Sequence, residues 1–209
     1  MIVVRYESIS EAKHKIIFNE AHIMQNKRKI AVAVTGASGS IYALRLIEKL
    51  LQLSTVEVAV IVSETAKSVA KHELGSDILL EQNVKYFDVN SFYAPCASGS
   101  SDYDTLLVAP CSVGTMARIA QGTADNLIVR TADVMLKERR KLILLLRETP
   151  FSLIHIENMR LITLAGGIIM PASPSFYHKP ASLNEVIDSM INRLLDVAQI
   201  ESSIKRWNP

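Results

Sequence analysis

Only two cysteines, Cys96 and Cys111, occur in the 209 residues. They have neither the spacing of metal ligands nor the density of a disulfide scaffold, so no metal site is expected and a reducing, cytoplasmic setting is the default. Long hydrophobic runs are missing as well. Without an uncharged apolar stretch near the ~18 to 20 residues that cross a bilayer, the 49% hydrophobic content fits strands buried on both faces rather than a membrane span. A strong charge of either sign is also absent. A net charge of +2 and a pI near 8.5, with no aromatic-rich basic stretch, argue against a nucleic-acid partner and leave small anionic ligands open. No internal repeat or low-complexity segment breaks the chain. A length of 209 residues supports one full core, whereas two domains would each be small.

The first residues lack the apolar h-region of a secretory signal, and Glu7, Glu11 and Glu20 do not suit a transit peptide. Residues 1–28 are read as an N-terminal extension, in which 10–25 is either a short helix packed on the domain or on a neighbouring subunit, or a mobile tail. Residues 29–200 form the α/β domain and 201–209 a C-terminal tail. Within the domain, β-rich runs at 29–35 and 56–62 flank 41–51, where Leu44, Ile47, Leu50 and Leu51 recur at helical spacing, a βαβ unit. The order continues with a helix over 65–72, a less regular segment to about residue 101, a strand at 105–109, helices over 115–120 and 125–139, a strand at 142–146, a helix over 154–165, a strand at 167–170 and a final helix. That last helix has a capping-box start, Ser182-Leu183-Asn184-Glu185. Its buried stripe is Leu183, Val186, Ile187, Met190, Ile191, Leu194 and Leu195. Gly166 and Gly167 stop the helix before it by permitting a positive φ. The predicted architecture is a single-domain α/β fold, a doubly wound and mostly parallel sheet flanked by helices, Rossmann-like or flavodoxin-like.

Open α/β sheets bind ligands beyond the carboxyl ends of their strands. Here those ends carry Thr35-Gly36-Ala37-Ser38-Gly39, Ser63, Pro110-Cys111-Ser112, Arg147-Glu148-Thr149-Pro150-Phe151 and residues 171–177, so convergence on one site is expected. Gly36 to Ser40 turns a strand into a helix, where backbone N–H groups and the positive helix end suit a phosphate. Tight turns also need glycine for purely steric reasons. An NAD site fits less well, because the G-x-G-x-x-G spacing is absent and the second strand ends at Ser63 rather than at a ribose-binding acid. Ser112-Val113-Gly114-Thr115 offers a second set of donors, or in the plainer alternative an ordinary N-cap at Ser112. Two such turns plus Ser63 suit a ligand with a phosphate, a polyol and a polar ring; FMN meets that description, as do other nucleotides. Arg147 and Glu148 continue directly from five apolar residues, with Pro150 expected to start the following helix. Desolvation would raise the Glu148 pKa and favour acid–base work, whereas a firm pair with Arg147 would lower it. Lys137-Glu138-Arg139-Arg140 closes a helix, where cations are favoured whatever the function. Arg130 and Lys137 nonetheless share a face, with Asp133 between them. In the polar loop after the last strand Tyr177 either donates to an anion or packs, and His155 and His178 are read as structural.

Together these motifs resemble the flavin prenyltransferases of the UbiX/Pad type, enzymes that build prenylated FMN. The resemblance spans about residues 29–198. It rests on Thr-Gly-Ala-Ser-Gly at 35–39, Ala-Ser-Gly-Ser at 97–100, Ala-Pro-Cys-Ser-Val-Gly-Thr at 109–115, Asp125-Asn126-Leu127, Ala-Asp-Val at 132–134 and Leu-Lys-Glu-Arg-Arg at 136–140. It continues through Arg-Glu-Thr-Pro-Phe at 147–151, His155 with Glu157-Asn158-Met159, and Phe176-Tyr177. The resemblance implies that Gly36, Ala37, Ser38, Ser63, Ser112, Val113, Gly114, Thr115 and Arg147 hold FMN. It further implies that Tyr177 and Arg193, with Lys137 and Arg130, bind the phosphate of dimethylallyl phosphate. Glu148 matches the family's acid–base carboxylate, Glu73 a second acid in proton handling, and Ser38 a residue orienting the flavin near its reacting edge. Trp207 matches, loosely, a tryptophan that closes the site. The implied chemistry is alkylation of reduced FMN at N5 and C6 without a metal, in a homo-oligomer of trimers grouped into a dodecamer with shared sites. The product would go to a UbiD-type decarboxylase. Arg130 and the C-terminal segment are the candidates for contacts across subunits. Ala43 departs from the glycine of many relatives, a small change at the flavin turn. Two rival readings share the fold: a flavin-dependent cysteine decarboxylase, whose Pro-x-Met-Asn stretch is replaced by Met170-Pro171-Ala172-Ser173-Pro174, and a non-catalytic FMN-binding electron carrier, which would not need Lys137, Tyr177 and Arg193.

Overall fold

A computed structural model describes residues 27–76 and 82–202. Its strands are β1 (Arg28–Val34), β2 (Val56–Val62), β3 (Lys85–Phe87), β4 (Tyr103–Cys111), β5 (Lys141–Leu146) and β6 (Ile168–Pro171). Its helices are α1 (Ser40–Leu51), α2 (Glu64–Leu74), α3 (Val113–Gln121), α4 (Leu127–Lys137), α5 (Leu153–Leu164) and α6 (Leu183–Val197). The strands form one parallel sheet in the order β3-β2-β1-β4-β5-β6. The winding reverses between β1 and β4, the point at which open sheets of this kind leave a crevice above the strand ends.

The period-2 alternation of β1 divides the core in two. Ile30, Val32 and Val34 face α1, α2 and α6, packed with Leu46, Ile47, Leu50, Ile191 and Leu194. Ala31 and Ala33 face the other way, toward a layer built from Met116, Val129, Ala132, Met135 and Ile162 of α3, α4 and α5. Each large side chain so buried contributes roughly 1.5–3 kcal/mol relative to exposure. The doubly wound reading therefore holds, and α4 and α6 lie on opposite faces of the sheet.

Several boundaries differ from the sequence reading. β3 lies in the segment read as irregular. Its three residues show no alternation, and they become a strand by pairing Lys85, Tyr86 and Phe87 with Ala59, Val60 and Ile61. β1 starts at Arg28, whose guanidinium bonds Asp104 (3.0 Å) and the Gln199 carbonyl (2.8 Å) and ties down the far edge of the sheet. Pro150 does not start α5, because the N-cap is Ser152. The reciprocal capping box occurs there, with His155 Nδ1 accepting from Ser152 N–H (3.2 Å) and Ser152 Oγ from His155 N–H (3.3 Å). This gives His155 its structural role. At α6 only half of the expected box forms: Ser182 Oγ accepts from Glu185 N–H (3.2 Å), but Glu185 Oε2 reaches one residue farther back, to Ala181 N–H (2.9 Å). Gly166 has the expected positive φ of 99°. Gly167 instead permits close packing, since a Cβ there would sit 2.6 Å from Ile162 Cγ2. The expected helix at 10–25 lies outside the described residues. No helix among the described residues is long and apolar enough to cross a membrane.

Candidate active site

The strand ends do converge. Thr35, Ser63, Ser112, Arg147 and Ala172 follow β1, β2, β4, β5 and β6 at one edge of the sheet, and backbone bonds lace them together. Ser63 N–H donates to Val34 O (3.1 Å), Arg147 N–H to Cys111 O (3.1 Å) and Ala172 N–H to Leu146 O (2.8 Å). Ser63 and Ser112 are both N-caps, accepting from Ala66 N–H (3.1 Å) and Thr115 N–H (3.2 Å). The plainer alternative for Ser112 is thus correct as far as it goes, Ser63 proves to be a cap as well, and capping fixes both hydroxyls at the strand ends.

The Gly36–Ser40 turn is shaped by α2, which runs alongside it. A Cβ on Gly36 would collide with the Thr65 side chain. At the other end of the turn Gly39, with φ 102°, caps α1 without a side chain of its own. Glu73 supplies the missing carboxylate from α2, accepting Gly39 N–H (3.0 Å) and Ser40 N–H (2.7 Å). Burial pushes the Glu73 carboxyl up, but hydrogen bonds from the Ser38 hydroxyl and from Ser40 and Gly39 outweigh it, so the net shift is below the usual carboxylate range. Glu73 is therefore an anion at neutral pH that caps α1 and orients Ser38. A depressed carboxylate stabilises the fold above its unfolded pKa, and that contribution disappears as pH falls through the folded value. Glu73→Gln should consequently lower the unfolding midpoint near pH 7, and the gap from wild type should close in acid, as followed by thermal melts across pH. Gly36→Ala should cost about 1–3 kcal/mol by overpacking against Thr65 and weaken ligand binding at the turn, measured by denaturant unfolding.

Arg147 and Glu148 do not pair with each other. Arg147 Nε–H donates to the Ser38 carbonyl (3.0 Å), joining the end of β5 to the β1 turn, and Glu148 Oε1 accepts from Thr149 N–H (3.0 Å). Both side chains are half-buried. Gly114, in the first turn of α3, has nothing within 4 Å of where a Cβ would stand, so its side of the turn is open. Cys111 does not compete for chemistry: burial pushes its thiol up to about 12, which keeps it protonated.

The residues assigned to an anion fall into two groups. Arg193 lines a cleft of about 470 Å³ between β6 and α6, together with Met170, Pro171, Ser173, Ser175 and Ser189. Ser173 and Ser175 also border the neighbouring cleft that Tyr177 lines, so the two clefts adjoin. Arg193 itself stands ten residues down α6 from Leu183, ~15 Å, near Ile168 at the start of β6, and its NH1 meets Asp196 Oδ2 (2.6 Å). Arg130 and Lys137 lie elsewhere. They project from α4, on the other face of the sheet, where Arg130 Nε–H donates to Ala97 O (3.1 Å) and its NH1 meets Asp133 Oδ2 (2.6 Å). Lys137 pairs with Glu138, and its Nζ would stand 2.6 Å from a Cβ on Gly99. Helix α4 descends from the site edge, so Lys137 is ~15 Å below Leu127 at 1.5 Å per residue. It reaches the opposite edge, where Arg140 NH1 holds the Tyr103 carbonyl at the start of β4 (2.9 Å). Trp207 lies outside the described residues.

An open doubly wound sheet with hydroxyl- and amide-rich turns at its switch point defines an α/β nucleotide- or flavin-binding protein. The comparisons identify which kind. Residues 19–208 match the Flavoprotein family model. The flavin prenyltransferase UbiX of Methanocaldococcus jannaschii is 46% identical over 182 residues, covering 86% of this chain and 98% of the relative. AnUbiX, solved in complex with FMN and dimethylallyl pyrophosphate, superposes with a TM-score of 0.83 at 40% identity, over 88% of this chain and 98% of the other. A dodecameric FMN-dependent UbiX-like decarboxylase from Escherichia coli O157:H7 superposes with a TM-score of 0.81 at 34% identity, over 87% of this chain and the whole of the other. The chain belongs to the UbiX flavin prenyltransferase branch of the flavoprotein family. FMN-dependent cysteine decarboxylase TvaF and the redox cage protein DmrB, at 15% and 20% identity, share only the fold.

Proposed function

We propose that the protein is a flavin prenyltransferase, moving a dimethylallyl group from dimethylallyl phosphate to N5 and C6 of reduced FMN. One observation carries the reading. The half-buried carboxylate Glu148 stands at the same sheet edge as two donor-rich turns and the end of β6, in a chain 40% identical to one solved with FMN and dimethylallyl pyrophosphate. The residues fit FMN: the Ser38, Ser63 and Ser112 hydroxyls, the first-turn amides of Val113 and Gly114, and the Arg147 guanidinium match a phosphate, a ribityl chain and a polar ring. Reduced FMN would supply two nucleophilic atoms in turn: N5 takes the allylic carbon as its C–O bond to phosphate breaks and N5 gives up its proton, and C6 then bonds the far carbon of the alkene, whose π bond is spent by protonation of its inner carbon while C6 gives up its own hydrogen.

The chain's own residues do the rest. Arg193 and Tyr177 hold the phosphate and offset the charge it gains on leaving, a preorganised effect of several kcal/mol in such sites. Glu148 Oε1 is anchored on Thr149 N–H, which leaves Oε2 to accept and return the protons exchanged as bonds form at N5 and C6. Ser38 is gripped from two sides, its carbonyl by Arg147 and its hydroxyl by Glu73. It therefore presents a fixed oxygen to the reacting edge of the ring.

Arg130 is only ~4.5 Å along α4 from Leu127, but Lys137, ~15 Å along it, is too distant from this edge to act within the same chain, and we assign Lys137, with Arg130 on the same helix face, to the site of a neighbouring subunit. Leu153, Ile154 and Leu164 of α5, each 72% exposed, give that neighbour an apolar surface. An assembly of trimers grouped into a dodecamer accommodates both features. The product would pass to a UbiD-type decarboxylase in the cytoplasm. An anaerobic phosphate-release assay with dimethylallyl monophosphate and diphosphate tests the reading. Release that requires reduced FMN with one of the two donors supports it. Flavin-independent release, or carbon dioxide from a peptide ending in cysteine, points away from it.

A further inference from the structure

Thr35, the residue between β1 and the first glycine turn, is 2% exposed and carries no binding role in the reading above. Its hydroxyl is bonded in both directions, donating to the Pro110 carbonyl (2.8 Å) and accepting the Ser112 N–H (2.8 Å). Its own N–H also points to Pro110 O (3.3 Å). The need for this side chain follows from Pro110. The β1–β4 ladder runs in register to Ala33 opposite Val108. Proline has no N–H to continue it, and β4 shifts register against β5 between Val108 and Cys111. Beyond Ala33 and Val108 one long backbone bond remains, from Thr35 N–H to Pro110 O, and the threonine oxygen adds two shorter ones.

The consequence reaches the ligand turns. Gly36 directly follows Thr35, and Val113 directly follows Ser112, so a single buried hydroxyl sets the separation of the two turns assigned to FMN. A ligand spanning both is sensitive to that separation, since a displacement of about 1 Å in a positioned group costs up to about 10²-fold. With its N–H occupied by Thr35, Ser112 leaves the Val113 and Gly114 amides as the first-turn donors of α3, beside the open side of Gly114. We infer that Thr35 is a positioning residue that fixes the spacing of the two flavin-binding turns across the β1–β4 switch point. This rests on the flavin reading of the site.

The test compares wild type, Thr35→Ser and Thr35→Val in FMN titrations of the full chain, with thermal melts run with and without FMN. Serine keeps both hydrogen bonds and should bind FMN as wild type does. Valine keeps the shape but loses both bonds, and should raise the FMN Kd about tenfold or more, the loss expected for one or two buried hydrogen bonds. The stabilisation that FMN confers in the melt should shrink in step. A merely structural threonine would lower the melting temperature of the valine variant and leave its FMN-induced shift at the wild-type size, and that result overturns the inference. If the valine variant does not fold, amide exchange in the folded wild type decides. A strongly protected Ser112 N–H supports the bridge, and exchange at the rate of an open loop overturns it. Wild type that takes up no FMN overturns the flavin reading and the inference with it.

Discussion

Replacing Glu148 with glutamine is expected to leave FMN affinity within about twofold of wild type and to slow prenyl transfer by about 10²- to 10⁴-fold, the usual range for loss of a general acid–base group. Glutamine preserves the size of the side chain and an oxygen for the Thr149 N–H that Glu148 Oε1 accepts at 3.0 Å, so the loop after β5 should keep its shape. What it loses is the ability to take a proton. Because Arg147 turns to the Ser38 carbonyl rather than to Glu148, the change breaks no ion pair among the described residues. The effect should therefore appear in the rate of the chemical step under saturating donor, not in binding. Stopped-flow spectra of the reduced flavin, mixed anaerobically with dimethylallyl phosphate, separate the two. A Glu148→Gln variant with an unchanged rate would remove Glu148 from the mechanism.

A second large effect is expected from mixing inactive subunits. Lys137 lies on the far edge of the sheet from Glu148, and α4 and α6 pack on opposite faces. A site built from Glu148 of one subunit and Lys137 of another can be restored by complementation. Lys137→Ala and Glu148→Gln, each alone, should be nearly inactive. Oligomers co-expressed from the two at equal levels should regain activity at about a quarter of their sites, the share in which chance supplies an intact residue from each neighbour. If Lys137 served its own chain, every subunit would lack one of the two groups and the mixture would stay as inactive as its parents. Activity per site in purified mixed oligomers decides between the two arrangements.

The parts of this site that are local in the chain were legible in the sequence. A buried apolar run followed by Gly36-Ala37-Ser38 or by Ser112-Val113-Gly114 announces a strand feeding a helix, and the hydroxyls fall where the fold needs N-caps. The long helices were equally plain, since their stripes repeat over several turns. What escaped depends on tertiary meeting. The Glu73 carboxylate lies 33 to 34 positions from the amides it caps, and only the family resemblance singled it out; the structure adds that it serves as a cap. β3 has three residues and is a strand only because β2 offers it an edge. The Ser152–His155 box was missed because histidine replaces the Glu or Gln that usually marks the motif. Thr35 did leave a signal, a polar residue closing a buried strand while the neighbouring strand ends in a proline. Reading it required knowing that the two strands are adjacent. The α4 cations were read correctly as sharing a helix face, yet sequence spacing says nothing about which edge of the sheet that face attends.

The most direct measurement is mass spectrometry of the flavin released after anaerobic incubation of the protein with reduced FMN and dimethylallyl phosphate. A flavin heavier by one dimethylallyl unit, formed with stoichiometric phosphate and not formed by the Glu148→Gln variant on the same timescale, is the predicted result. Unmodified FMN recovered from the wild-type protein with both the monophosphate and the diphosphate donor would contradict the assignment of a prenyl-transfer site to this sheet edge.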